Sequence, residues 1–327
     1  MDIRKAGGVD RFSSLPSEIL EHILFFTGVR QAVQLSVLSS TWKNLWKSMP
    51  DLYLDARDLP PTGDQNWRLF SLARKVLRLR TETVRKLRIV IFMNRYQSIQ
   101  ISPLRWFNYA QWCHADELTL SSLPYPSSSP ISRRRILFAD EYTGIVNFGK
   151  LRSLTIRGIR DSVNAFEPPS DALPLLEKLS MSHCSFEAIN ISFSRLKVLT
   201  LHYCYALGGN FRVATPNLET FDYRESFFPV CELENQPSLV DASIDISLCN
   251  QSGDALLQVF RAIQNATSVN LSWSSLEAYY KQQRSFSCLP TFHNAKHVTL
   301  VNNGQRNIML TKDLMQKWPN VETLTIR

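Results

Sequence analysis

Glycine is scarce in this chain, 11 of 327 residues, and that scarcity narrows the chemistry available. Loops that cradle phosphates need glycine where the backbone closes on the ligand, and neither G-x-x-x-x-G-K-[ST] nor G-x-G-x-x-G occurs. The nucleophile turn G-x-S-x-G is missing too, so no enzymatic activity and no cofactor are expected. Cysteine is thin: Cys113, Cys184, Cys204, Cys231, Cys249 and Cys288 stand singly along a long chain. Such spacing indicates reduced thiols, not a disulfide framework. No run approaches the roughly 18 apolar residues of a membrane span. The opening MDIRKAGGVDRF carries no apolar stretch of the secretory kind. The sequence therefore predicts a protein of the nucleus or cytoplasm with no membrane contact.

What is present begins with uneven charge. Residues 51–110 hold 11 basic and 5 acidic residues, whereas 111–327 hold 20 of each, so the basicity is local and not a property of the whole surface. Its centre is Arg74-Lys75, Arg78, Arg80, Arg85-Lys86 and Arg88. One reading is a nucleic-acid-associated scaffold. The favoured reading is the solvated side of a helix and the strand after it, because no aromatic stacking platform is interleaved there.

Residues 10–54 contain three short helical patterns. In the first, Ile19, Leu20, Ile23 and Leu24 form an apolar stripe extended by Phe25 and Phe26. The second, Ala32 to Leu38, is apolar nearly all round, and the third carries Trp42, Leu45 and Trp46. A segment of this size forms only a marginal core alone, so the surplus apolar surface packs on the rest of this chain, on another protein, or on both. The segment is read as a docking module. A short alternating run, Asp51 to Asp55, reads as a strand. An amphipathic helix near 66–80 follows, with Leu69, Leu72, Ala73, Val76 and Leu77 inward. Another helix is expected to start at Ser102-Pro103 and to include Trp106, Phe107 and Tyr109-Ala110.

From residue 84 onward the template apolar-x-x-apolar-x-apolar recurs. It fits Val84/Leu87/Ile89, Ala115/Leu118/Leu120, Leu151/Leu154/Ile156, Leu176/Leu179/Met181 and Leu196/Leu199/Leu201. It continues at Leu218/Phe221/Tyr223, Leu239/Ala242/Ile244, Ala266/Val269/Leu271, Ala295/Val298/Leu300 and Val321/Leu324/Ile326. The spacing is that of leucine-rich repeats, in which each unit adds one strand to a solenoid. A polar stretch, Ser121 to Pro130 and then Arg133-Arg134-Arg135, reads as an excursion from it. The template turns Cys184 and Cys204 inward, where a thiol behaves as a small hydrophobe. No metal site is expected there, nor at His293 and His297, which lack the glutamate of a metalloprotease helix.

The stretches DRFSSLPSEIL and SVLSSTWKNLW, followed by these repeats, resemble the plant F-box/leucine-rich-repeat proteins often found with an FBD domain. The resemblance implies an α/β fold: an N-terminal three-helix F-box (8–54), then an irregular solenoid of about ten parallel strands (55–327). It implies the substrate-recognition subunit of a Skp–cullin–F-box ubiquitin ligase. The F-box would bind a Skp-type adaptor, and through it a cullin–RING ligase, while the repeats hold a protein substrate. Carried over by motif, the adaptor contacts are Leu15, Pro16, Ile19, Leu20, Ile23, Leu24, Val37, Leu45 and Trp46. Thr27-Gly28 stands where the family usually has Leu-Pro. Residues 323–327 read as a repeat strand, and no FBD domain or capping unit is read beyond it. Residues between the inward positions face the concave side of such a solenoid. They place Arg88, Arg157, Lys178, His202, Asp222, Arg224, Asp241 and Asp245 on the expected substrate surface.

Overall fold

The computed structural model describes residues 15–24, 34, 45–60, 65–80, 82–93, 114–124, 149–161, 165–168, 171–225, 232–234, 236–246, 253–283, 285–301 and 312–327. The helix expected from Ser102, the polar stretch from Tyr125 to Arg135, and Thr27-Gly28 lie outside them.

Each copy of the repeat template becomes a strand because its alternating apolar residues suit one buried face and one wet face. The strands of the main sheet are β1 (Asp51–Asp55), β2 (Lys86–Met93), β3 (Glu117–Pro124), β4 (Ser153–Arg157) and β6 (Lys178–Ser182). They continue with β8 (Val198–His202), β10 (Thr220–Glu225), β12 (Asp241–Ile246), β13 (Ser268–Ser272), β14 (His297–Val301) and β15 (Thr323–Ile326). Among the described residues these eleven form one parallel sheet in that order. All ten predicted repeats contribute, and β1 adds an eleventh strand ahead of them.

Register is uniform along the stack. Leu52 lies beside Leu87, Leu87 beside Leu118, Leu118 beside Leu154, and the column continues through Leu179, Leu199 and Phe221. The backbone repeats in step: Arg152 O accepts from both Glu177 N and Lys178 N, and Glu177 O from Lys197 N and Val198 N. A carbonyl at the start of one strand thus takes two N–H groups from the next repeat. The inward columns merge into one continuous core from Leu20 to Trp318, as expected where each repeat buries its face only against its neighbours.

A second parallel sheet was not legible in the template. It consists of β5 (Arg160–Asp161), β7 (Ser185–Ile191), β9 (Tyr205–Val213) and β11 (Glu232–Leu233), in the order β11-β9-β7-β5. Between the two sheets the chain turns a corner at Gly158, His183 and Tyr203, all with positive φ (69°, 52° and 55°). Each corner N–H donates to the following repeat: Gly158 N to Ser182 O, His183 N to His202 O, Tyr203 N to Arg224 O. The His183 and Tyr203 rings stack at 5.0 Å, so two left-handed non-glycine residues are held by neighbouring repeats.

Helices back the main sheet at its two ends. Gln65–Leu79 is the amphipathic helix expected near 66–80, with Leu69, Ala73 and Val76 buried. Its Asn66 side chain grips the end of β2, donating to Phe92 O at 2.7 Å and accepting from Phe92 N at 2.9 Å. Gly253–Ala262 and Trp273–Gln283 lie toward the other end. Ser272 caps the latter, its hydroxyl accepting from Ser275 N at 3.2 Å. Among the described residues no helix is long and apolar enough to cross a membrane.

Candidate functional site

The first candidate surface is the N-terminal module. Residues 17–24 are helical, begun by Pro16 O accepting from Ile19 N and Leu20 N. Leu20 and Leu24 are each 1% exposed, and together with Trp46 and Met49 they join the core that continues into Leu52 and Leu54. Of the nine residues expected to meet an adaptor, Leu20, Leu24 and Trp46 are therefore core residues here, not free surface. They belong to the same core as Leu52 and Leu54 of β1. Pro16 and Ile19 remain exposed, Ile19 at 48%, with Leu15, Ile23 and Leu45 half-buried beside the core. Val37 lies outside the described residues.

The module is also tied to the repeats by polar contacts. Arg80 donates to Trp46 O at 3.1 Å and to Met49 O. Arg85 N and Lys86 N both donate to Pro50 O. Tyr53, Asp55 and Arg57 form a cluster at the join that the motif reading missed. The Tyr53 hydroxyl donates to Asp55 Oδ2 at 2.5 Å, and Arg57 donates to the same carboxylate from its backbone N and its guanidinium. Burial pushes the Asp55 carboxyl up, but hydrogen bonds from Arg57 and Tyr53 outweigh it and hold the group below its ordinary value. Asp55 also caps the 3-10 turn Ala56–Asp58. An Asp two residues before an Arg at a strand end was the available signal.

The second candidate surface is the outward side of the main sheet. Its middle row runs Arg88, Thr119, Thr155, Ser180, Thr200, Asp222 and Ser243 in continuous register, small hydroxyls apart from Arg88 and Asp222. Near the centre of the sheet, His202 Nε2 lies 2.9 Å from Asp222 Oδ2, and Arg224 Nε lies 3.4 Å from Asp222 Oδ1. Partial burial pushes the Asp222 carboxyl up, but His202 and Arg224 hold it below its usual value. Three of the eight expected substrate-face residues are thus drawn together. Arg157, Lys178 and Asp241 are exposed and Asp245 is half-buried.

Arg88 is exposed on the same face beside Thr119, its guanidinium 5.8 Å from the Tyr53 ring centre. Beside it Lys86 pairs with Glu117 at 3.0 Å and Arg85 with Asp51 at 3.3 Å. Three members of the basic stretch are therefore engaged within the sheet, which weakens the nucleic-acid reading. Cys184 and Cys204 are buried, and the hydrogen bond with Cys184, together with burial, pushes the Cys204 thiol well up. Among the described residues no group of His, Cys, Asp or Glu could hold a metal ion.

Comparison with known proteins bears on the whole chain. Residues 12–54 match the F-box domain. The chain is 26% identical to the F-box/LRR-repeat protein At3g59200 of Arabidopsis thaliana, over 97% of this chain and 69% of that protein. It is 23% identical to the putative F-box/FBD/LRR-repeat protein At5g44950 of the same plant, over 98% of this chain and 79% of that one. To MEIOTIC F-BOX protein MOF of Oryza sativa subsp. japonica it is 30% identical, over 97% of this chain and 71% of the relative. No solved structure matches. With an F-box match at the N-terminus, an eleven-stranded repeat sheet behind it and relatives aligned along both, the chain belongs to the plant F-box/leucine-rich-repeat family.

Proposed function

We propose that this protein is a substrate-recognition subunit of a Skp–cullin–F-box ubiquitin ligase, acting in the nucleus or cytoplasm and performing no chemistry itself. Residues 8–54 form the docking module and 55–327 the substrate-holding solenoid. A Skp-type adaptor seats on Pro16 and Ile19, flanked by Leu15, Ile23 and Leu45, and links the chain to a cullin–RING ligase. A protein substrate lies on the outward side of the main sheet. The observation that carries this reading is the join: the F-box match ends at Leu54, inside β1, and β1 is hydrogen-bonded to the first repeat strand from Asp51 to Asp55. An adaptor on the module is thereby held in fixed relation to the substrate face, and catalysis by the recruited enzymes gains from proximity.

The test is capture of a recombinant plant Skp-type adaptor by the full chain. Stable co-elution is expected, with loss in Ile19→Asp at an unchanged melting temperature. Absence of adaptor binding at micromolar concentration, in a folded sample, overturns the proposal.

A further inference from the structure

Besides Arg88, which lies over the Tyr53 ring, the outward face carries four charges that the sheet leaves unmatched. Along the rim, neighbouring repeats pair theirs: Arg152 with Glu177, Lys197 with Glu219, Lys296 with Glu322. On the face itself, Asp222 is matched by His202 and Arg224. Among the described residues no ion pair engages Arg157, Lys178, Asp241 or Asp245. One Asp245 carboxylate oxygen is sealed from solvent with no hydrogen-bond partner, a costly arrangement unless a donor arrives.

Their placement is ordered. Arg157, Ser182, His202, Arg224 and Asp245 occupy one row in continuous register from β4 to β12. Lys178, Val198, Thr220 and Asp241 form the parallel row from β6 to β12. The two rows lie four residues apart along the strands, about 13 Å. Arg157 and Lys178 thus flank the middle row on β4 and β6, while Asp245 and Asp241 flank it on β12. Small hydroxyls and the Asp222 cluster lie between. Four strand spacings separate Arg157 from Asp245, about 19 Å, which about six residues of extended chain would span.

From this we infer that the substrate-face ligand, on the reading proposed above, is an extended polypeptide segment crossing the strands. Its backbone follows the middle row. Acidic side chains reach to Arg157 on one side and Lys178 on the other, and basic side chains reach likewise to Asp245 and Asp241 about six residues away. A uniform polyanion does not fit, because it would be repelled by the aspartate end. In the middle row Thr155, Ser180, Thr200 and Ser243 are small and leave room for a backbone to lie across them, and Asp222 among them is paired with His202 and Arg224.

The probe is a fluorescein-labelled nonapeptide of three Glu, three Ser/Gly and three Lys, made in both chain directions. Controls are a scrambled peptide of the same composition, hexaglutamate and a short polyadenylate RNA. In fluorescence anisotropy at low salt, one direction should bind the full chain about tenfold more tightly than the scramble, several exposed pairs contributing a few-fold each. The preference should vanish with added salt. It should be lost in Arg157→Glu/Lys178→Glu and in Asp241→Lys/Asp245→Asn, while a peptide with its Glu replaced by Lys should regain binding to the first variant. Equal binding of the scramble, or tighter binding of hexaglutamate or RNA, overturns the inference. Adaptor capture is measured on the same samples. Capture retained with no peptide preference removes this inference alone, whereas peptide preference without capture removes the ligase reading alone.

Discussion

Arg152 and Glu177 stand at the same place in successive repeats, and their side chains meet at 2.6 Å. That place, just after the first apolar residue of the template, reads Arg85, Asp116, Arg152, Glu177, Lys197, Glu219 along the chain. The signs alternate through six repeats. The carbonyls of these same residues accept the paired N–H groups of the next repeat, so a side-chain ladder runs beside the backbone ladder. Pairing with the next repeat but one would set like charges side by side, which is unfavourable across adjacent strands. The ladder therefore favours the correct order of stacking.

The isolated pair Lys296–Glu322 tests the ladder most cleanly, because the preceding positions in the row are Val240 and Thr267. Both side chains are more than half exposed, so the effect is modest. Lys296→Glu should lose about 0.5 kcal/mol in urea unfolding, and the swap with Glu322→Lys should restore it. A swap no more stable than the single variant would mean that the pair contributes nothing.

At the corner after β4, Gly158 combines a φ of 69° with a close neighbour. A Cβ there would lie 2.9 Å from Ser122 Oγ and 3.1 Å from Ser122 O, and the Ser122 hydroxyl already donates to Gly158 O. Gly158→Ala adds left-handed strain to that contact, so a loss of about 1–3 kcal/mol is expected. Ser122→Ala in the same background should recover part of it by removing the nearer atom. Thermal unfolding of the unmodified chain, the single variant and the double variant reads both steps.

The sequence made the main sheet readable because Leu87/Ile89, Leu154/Ile156 and Leu199/Leu201 repeat one alternation at near-regular spacing. The second sheet lacked such a signal. Its β5 strand is two residues long, and in β9 the run Leu207-Gly208-Gly209 interrupts the alternation where the register with β7 shifts. The corner was half visible: Gly158 shows the left-handed demand, but His183 and Tyr203 meet it without glycine. On the substrate face, His202 and Asp222 could be placed on one side from the template alone, whereas their 2.9 Å approach depends on the register between β8 and β10. On the F-box helix, Ile19 and Leu20 belong to the same apolar stripe. Only the packing of the whole chain decides which of them is covered.

Asp55 makes the join between module and repeats pH-dependent. Its folded pKa lies below the ordinary value, so the folded state favours the carboxylate. The stabilisation is fully present above the unfolded pKa of about 3.9 and is lost as pH falls through the lower, folded value. Asp55→Asn should cost about 1–3 kcal/mol at pH 7, with the gap to the unmodified chain closing below about pH 4. Urea unfolding of both proteins from pH 7 to pH 3 measures it. A gap that stays constant with pH would assign the loss to packing instead of charge.

The adjacent residues Ile19 and Leu20 separate docking from folding. Both are apolar and one helical step apart, yet Ile19 is 48% exposed and Leu20 only 1%. Leu20→Ala opens a cavity in the core shared by the module and the first strands, and should cost about 2–5 kcal/mol. Ile19→Ala trims a side chain that is already about half exposed, so the melting temperature should fall only slightly while adaptor capture weakens. If the adaptor instead needs Leu20 itself, the helix must turn on binding. Leu20→Met, which keeps the side-chain volume and most of the stability, would then lower adaptor affinity as much as Ile19→Ala. Melting curves and adaptor titrations on the three variants distinguish a preformed docking surface, carried by Ile19, from one that forms only when the partner arrives.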